Sequence, residues 1–120
     1  MRIALVLAAL LAAVPAFAAD RSWTRTQIGA EAAFVALVAV DAWQTSTALR
    51  EARFYEVNPL LGERPSDARL FALAGSAALL HVVIAHIIPS DYRGGWQASG
   101  LALEMMVVGR NFHAGARLRF

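Results

Sequence analysis

The chain has 120 residues, of which 58% are hydrophobic and only 17% are charged. Soluble domains carry about 25% charged residues, so this composition disfavours a water-soluble fold and indicates one domain in a membrane. The net charge of +2 and the scattered arginines argue against nucleic-acid binding. The absence of cysteine excludes disulfides, thiolate metal sites and cysteine nucleophiles.

Residues 1–19 have the pattern of a secretory signal peptide. Arg2 supplies a minimal positive region, and residues 3–14 form an apolar run that Pro15 ends. Small residues then precede a predicted cut after Ala18 or Ala19. The alternative is an uncleaved anchor helix. In both cases the remaining chain would begin outside the cytoplasm.

The remaining residues, 20–120, predict an all-α membrane protein built as a three-helix transmembrane bundle. The helices are expected at about 28–49, 70–88 and 96–111. The second run alone approaches the roughly 20 apolar residues that cross a bilayer. Ser66 is a candidate N-cap for it and Pro89 ends it. A tight turn is predicted over residues 90–95, because Gly94 and Gly95 usually break helices.

The distribution of arginines predicts the orientation of this bundle in a bacterial inner membrane. With the mature N-terminus in the periplasm, the 50–69 connection and the C-terminal tail lie in the cytoplasm. Seven arginines then lie inside and three outside, which obeys the positive-inside rule. The inside group is Arg50, Arg53, Arg64, Arg69, Arg110, Arg117 and Arg119, and the outside group is Arg21, Arg25 and Arg93.

Polar residues within the predicted helices are the first candidates for function, because they are costly in lipid. His81 and Glu104 both fall near the predicted midplane and could hydrogen-bond there. Asp41, Gln44 and Thr45 share one helix face, and Asn111 is expected at the level of Asp41. Facing polar stripes would form a small polar core. Its predicted members are Asp41, Gln44, Thr45, His81, Glu104 and Asn111.

This polar core has a functional and a structural interpretation. The functional one is a proton relay or ligand site. The structural one is a set of interhelical hydrogen bonds, each worth about 0.6–2 kcal/mol. The structural interpretation is preferred.

The connection between the first two helices carries the most distinctive motif, with Glu56, Asn58, Pro59 and Gly62 in a short span. Asn58 precedes a proline and is therefore biased away from the α conformation. Glu56 could fold back onto Asp41 to form a carboxylate-lined pocket for a hard cation such as Mg²⁺ or Ca²⁺, or for a polar headgroup. The alternative, which is preferred, is a loop folded by capping and turn chemistry with salt bridges from neighbouring arginines.

No cofactor and no metal site are predicted, and Asp41 and Glu56 are only weak metal candidates. His81 and His86 are five residues apart, so they diverge around a helix. They lack the i, i+4 spacing of a zinc-protease helix.

The order Asp41-x-x-x-Thr45-x-Thr47, followed by Glu56-x-Asn58-Pro59 before a second hydrophobic helix, resembles small bacterial membrane proteins classed under domains of unknown function. The resemblance covers residues 35–90, about half of the chain. It implies a helical integral membrane protein and supplies no activity. The signal peptide and the third helix depart from that pattern.

Three functions compete on this evidence. The first is a non-enzymatic inner-membrane protein whose cytoplasmic loop binds a protein partner or a lipid headgroup. The second is a membrane enzyme or transporter component that uses Asp41, Glu56, His81 and Glu104 for proton or cation chemistry. The third is a small outer-membrane β protein, because residues 113–120 alternate and end in an aromatic residue. The expected partners are membrane lipid and a second copy or a larger membrane protein, with no nucleic acid.

Overall fold

The computed structural model describes residues 22–116, so the predicted signal peptide and the last four residues lie outside the described part. Within it the chain forms three helices, α1 (Arg25–Ala48), α2 (Asp67–Ile87) and α3 (Ser90–His113). Helix α1 packs against both others, while α2 and α3 touch each other less. Residues 22–116 contain no strand. The all-helical class is therefore confirmed for this range, and the β alternative has no support.

Capping residues determine where the first two helices begin. Thr24 and Gln27 form a reciprocal capping box, in which each side chain accepts the other residue's backbone N–H at 3.1 Å. This box starts α1 three residues before the predicted position. Ser66 caps α2 by accepting the Arg69 N–H at 3.2 Å, as predicted.

The turn predicted over residues 90–95 is wrong, because α3 runs through both glycines. A glycine inside a helix costs about 1 kcal/mol but does not forbid it. Pro89 separates α2 from α3, and its missing N–H leaves the Ala85 carbonyl without its usual helical donor. The Arg93 Nε donates to that carbonyl at 2.6 Å instead. This bond ties the first turn of α3 to the last turn of α2.

The apolar core lies where α1 meets α2. Three residues of α1 and two of α2 form it, namely Phe34, Val35, Val38, Ala78 and Val82. Ile28, Ala74 and Leu101 pack around this cluster. Small residues such as Ala78 let the helix backbones approach closely, which is the usual packing mode of helices in lipid.

Two of the three helices, α1 and α2, are long and apolar enough to cross a membrane. Only 28% of the most apolar window of each is buried inside the protein. A core helix of a soluble protein would be mostly buried. Helix α3 is as long as α1 but more polar, since it carries Asp91, Arg93, Glu104 and Arg110.

Candidate functional site: two buried polar layers

The first polar layer consists of Glu31, His81 and Gln97, one side chain from each helix. The Glu31 Oε1 lies 2.6 Å from the His81 Nδ1. The Gln97 Nε2 donates to the Glu31 Oε2 at 2.8 Å and to the Gln27 carbonyl at 3.0 Å. Glu31 is 0% exposed and Gln97 is 1% exposed. Both carboxylate oxygens of Glu31 therefore have partners, and a single group links all three helices.

Aromatic rings hold the imidazole of His81 from both sides. The Phe34 ring stacks on it with centroids 3.8 Å apart, and the Trp96 ring stacks at 4.8 Å. The Trp96 Nε1 also donates to the His81 carbonyl at 3.1 Å. A Cβ at Gly100 would overlap the His81 Nε2. Residue 100 must therefore be glycine for the ring to pack against the α3 backbone.

The side chains of the first polar layer are buried away from solvent. The His81 Nδ1 and the Glu31 Oε1 lie within hydrogen-bond distance, and both oxygens of the Glu31 carboxylate are engaged inside the bundle. The other ring nitrogen, Nε2, contacts α3 and has no hydrogen-bond partner among the described residues. The layer locks three helices in register.

The second polar layer consists of Asp41, Gln44 and Asn111, near the other end of the bundle. The Asn111 Nδ2 donates to the Asp41 Oδ1 at 2.6 Å and lies 3.3 Å from the Gln44 Oε1. The Gln44 Nε2 reaches the Val108 carbonyl at 3.5 Å. Gln44 is fully buried, while Asp41, Thr45 and Asn111 are only half-buried. This layer joins α1 to α3 and is more open than the first.

Glu104 lies between the two layers on α3, seven residues from both Gln97 and Asn111. This spacing puts all three side chains on one face of the helix. Glu104 interacts electrostatically with Asp41 and His81. Its Oε2 is buried without a hydrogen-bond partner in the described part of the chain. The expected hydrogen bond between His81 and Glu104 is not formed, because Glu31 takes the place of Glu104 at the imidazole.

The motif of the α1–α2 connection folds on itself. The Glu56 Oε1 accepts the Asn58 N–H at 2.8 Å, and the Asn58 Oδ1 accepts the Leu60 N–H at 3.0 Å. Pro59 occupies the turn that these bonds close, and Gly62 has a φ of +77°, which favours glycine. The Glu56 carboxylate bonds within its own loop, and it interacts with Asp41 electrostatically rather than through a hydrogen bond.

Arg64 fixes this connection to the end of α1. Its guanidinium donates to the carbonyls of Leu49 and Ala52, both at 2.8 Å. Carbonyls at a helix C-terminus lack intrahelical donors, and a cation there also opposes the negative end of the helix dipole. Arg50 and Arg53, the neighbouring arginines expected from the sequence to form salt bridges here, make ion pairs at the surface. Arg53 pairs with Glu51 at 2.9 Å, and Arg50 lies 3.9 Å from Asp67.

Within residues 22–116, no group of three or more His, Asp or Glu side chains is arranged to hold a metal ion. His86 lies near the N-terminal end of α1, where its ring centroid is 6.4 Å from that of Trp23. The two histidines of α2 therefore lie in different surroundings, His81 beside Glu31 and His86 beside Trp23.

Two residues of the first polar layer, Glu31 and Gln97, are not among the members predicted from the sequence. Glu31 is the only charged residue in the otherwise apolar run of residues 28–40. A usable signal was present, because Glu31 precedes Val38 and Thr45 by multiples of seven. That spacing places Glu31 on the helix face that packs inward.

Comparison with known proteins gives no match: no family model, no curated protein and no solved structure is similar to this chain.

Proposed function

We propose that the chain is a small integral membrane protein of three spanning helices, non-enzymatic, whose buried polar layers set the helix register. Its mature N-terminus lies in the periplasm and its C-terminus in the cytoplasm. The α1–α2 connection then presents a cytoplasmic binding surface. The first polar layer is the observation that supports this proposal. In it the side chain of Glu31 is fully buried and contacts residues of both other helices.

The distribution of polar and apolar side chains supports membrane placement. Glu31, Gln44 and Gln97 are buried, whereas large apolar side chains of α2 and α3 are exposed. The exposed group includes Leu79, Leu80, Ile87, Leu103, Met105, Met106 and Val107. Lipid can cover such a surface, and polar groups must then find partners inside the bundle. Helix α3 spans the membrane on this argument, since Gln97 is buried and Glu104, its one charged residue away from the helix ends, is half-buried.

The α1–α2 connection supports a binding role because its backbone is held by hydrogen bonds and three of its large apolar side chains are exposed. Tyr55, Val57 and Leu60 are 65%, 77% and 67% exposed. Arg64 and the Glu56–Asn58 turn hold their backbone in place. Exposed apolar groups on a fixed loop mark a contact surface for a protein partner or a lipid headgroup region.

Single-cysteine labelling tests the topology, because the natural chain has no cysteine. Cysteine would be placed at Ser22, Val57 and His113, all of them exposed. A membrane-impermeant maleimide should label Ser22→Cys in intact cells, and label the other two only after the inner membrane is opened. Val35→Cys is the buried control, at 1% exposure. Recovery of the protein in the soluble fraction, or labelling of all three exposed sites in intact cells, would contradict the proposal.

A second candidate function is proton or cation chemistry at the second polar layer. The supporting observations are that the carboxylate of Asp41 is only half-buried, and that the Oε2 of Glu104 is buried without a hydrogen-bond partner among the described residues. Asp41→Asn should abolish such activity while leaving the protein level in the membrane unchanged. Glu63→Gln, at an exposed loop position, is the matched control. A variant that only lowers the protein level would favour the structural role.

A further inference from the structure

Arg93 and Trp23 meet at the end of the bundle where α1 and α3 begin and α2 ends. The Arg93 guanidinium carbon lies 5.0 Å from the centroid of the Trp23 ring, a cation–π contact. Arg93 is 2% exposed and Trp23 is 8% exposed. A guanidinium keeps its charge under all ordinary conditions. The protein therefore holds a buried cation against an aromatic ring at this end.

Two hydrogen-bond donors of this pair have no acceptor among residues 22–116. Arg93 uses its Nε on the Ala85 carbonyl, but within that range its Nη1 has no partner, and neither does the Trp23 Nε1. Both groups can only donate. Leaving a buried donor unsatisfied costs about 1–3 kcal/mol, and more for a charged group. The unpaired N–H groups of the guanidinium and the indole both need an oxygen acceptor. A negatively charged oxygen would accept these hydrogen bonds and also neutralise the charge of Arg93.

We propose that Arg93 and Trp23 bind the phosphodiester group of a membrane phospholipid. This inference rests on the proposed membrane placement, which puts the ends of all three helices at the level of the lipid phosphates. Trp23 lies outside α1, and the preceding Ser22 has a φ of +53°. The indole therefore lies at the end of the bundle and not along a helix face. Arginine and tryptophan are also residues that anchor proteins at this interface.

Native mass spectrometry of the purified full-length gene product in detergent tests the site. The probe is dioleoyl phosphatidylglycerol, with dioleoylglycerol as the same acyl chains without phosphate. Arg93→Gln should weaken binding of the phospholipid about tenfold or more, since a charged hydrogen bond is lost. Trp23→Phe keeps the ring, removes only the Nε1 donor, and should weaken binding about threefold. Arg25→Gln is the control, because Arg25 is an exposed arginine at the same end.

Each outcome decides the proposal. If Arg93→Gln does not fold, because the Ala85 carbonyl loses its donor, Trp23→Phe carries the test alone. The proposal is overturned if the wild type and the folded variants bind the phospholipid equally well. It is also overturned if the wild type binds dioleoylglycerol as tightly as it binds the phospholipid. Displacement of the lipid by inorganic phosphate would overturn the lipid assignment in favour of a free-phosphate site. A correct topology with unaltered lipid binding defeats this inference only, whereas a soluble protein defeats the proposed function as well.

Discussion

Glu31 and His81 are 50 residues apart in the sequence, yet the Glu31 Oε1 lies 2.6 Å from the His81 Nδ1. Gln97 closes the same cluster from α3. Because the three side chains come from three helices, sliding any helix by one turn breaks a hydrogen bond in a region that water does not reach. The cluster therefore selects a single register for the bundle.

Removing the Glu31 carboxylate should destabilise the protein. Glu31→Ala leaves the His81 Nδ1 and the Gln97 Nε2 without their shared acceptor. Two interhelical hydrogen bonds at about 0.6–2 kcal/mol each give an expected loss of about 1–4 kcal/mol. Reversible unfolding in mixed detergent micelles, followed by circular dichroism, measures it. Glu63→Ala, at an exposed loop residue, should change stability by less than about 0.5 kcal/mol. An equal effect at both positions would contradict the assigned role.

Glycine at position 100 should be required, in contrast to glycine at position 109. A methyl group at Gly100 would overlap the His81 Nε2, whereas nothing lies within 4 Å of a Cβ at Gly109. Both residues lie in α3, so alanine gains the same helix propensity, about 1 kcal/mol, at each. Gly100→Ala should lower the unfolding temperature in detergent, and Gly109→Ala should leave it unchanged or raise it. Stabilisation by Gly100→Ala would show that His81 does not pack against this residue.

Asp41 and Asn111 should be energetically coupled. Their hydrogen bond of 2.6 Å joins α1 to α3, 70 residues apart in the sequence. A double-mutant cycle with Asp41→Ala and Asn111→Ala isolates this pair. We expect a coupling free energy of about 0.5–2 kcal/mol. Additive effects of the two substitutions, within about 0.3 kcal/mol, would mean that the bond contributes nothing.

Arg64 should matter more than Arg53 for the order of the α1–α2 connection. Arg64 donates to backbone carbonyls at the end of α1, whereas Arg53 makes an exposed ion pair with Glu51. Exposed pairs contribute about 0–1 kcal/mol. Arg64→Ala should therefore speed protease cleavage within residues 49–66, measured by mass spectrometry of the fragments. The protease should cleave the Arg53→Ala variant at the wild-type rate. Equal cleavage of both variants would argue against this anchoring role.

Local chemistry allowed much of the fold to be predicted from sequence. The helical class follows from the apolar runs, and the start of α2 follows from Ser66, whose cap is a contact over three residues. The prediction failed at residues 90–95, where two glycines indicated a turn. There the bond from Arg93 to Ala85, together with packing against α1, outweighs a helix propensity penalty of about 2 kcal/mol.

The sequence by itself determined the helices, their order and the set of polar residues they carry, because these depend on neighbours within about one helical turn. It did not determine which polar residues meet. Periodicity assigns a side chain to a face but not to a partner, and both Glu31 and Glu104 were available for His81. Only the packing of the helices decided that choice. Gly100 brings α3 against the imidazole, the rings of Phe34 and Trp96 fix its plane, and its Nδ1 then meets Glu31.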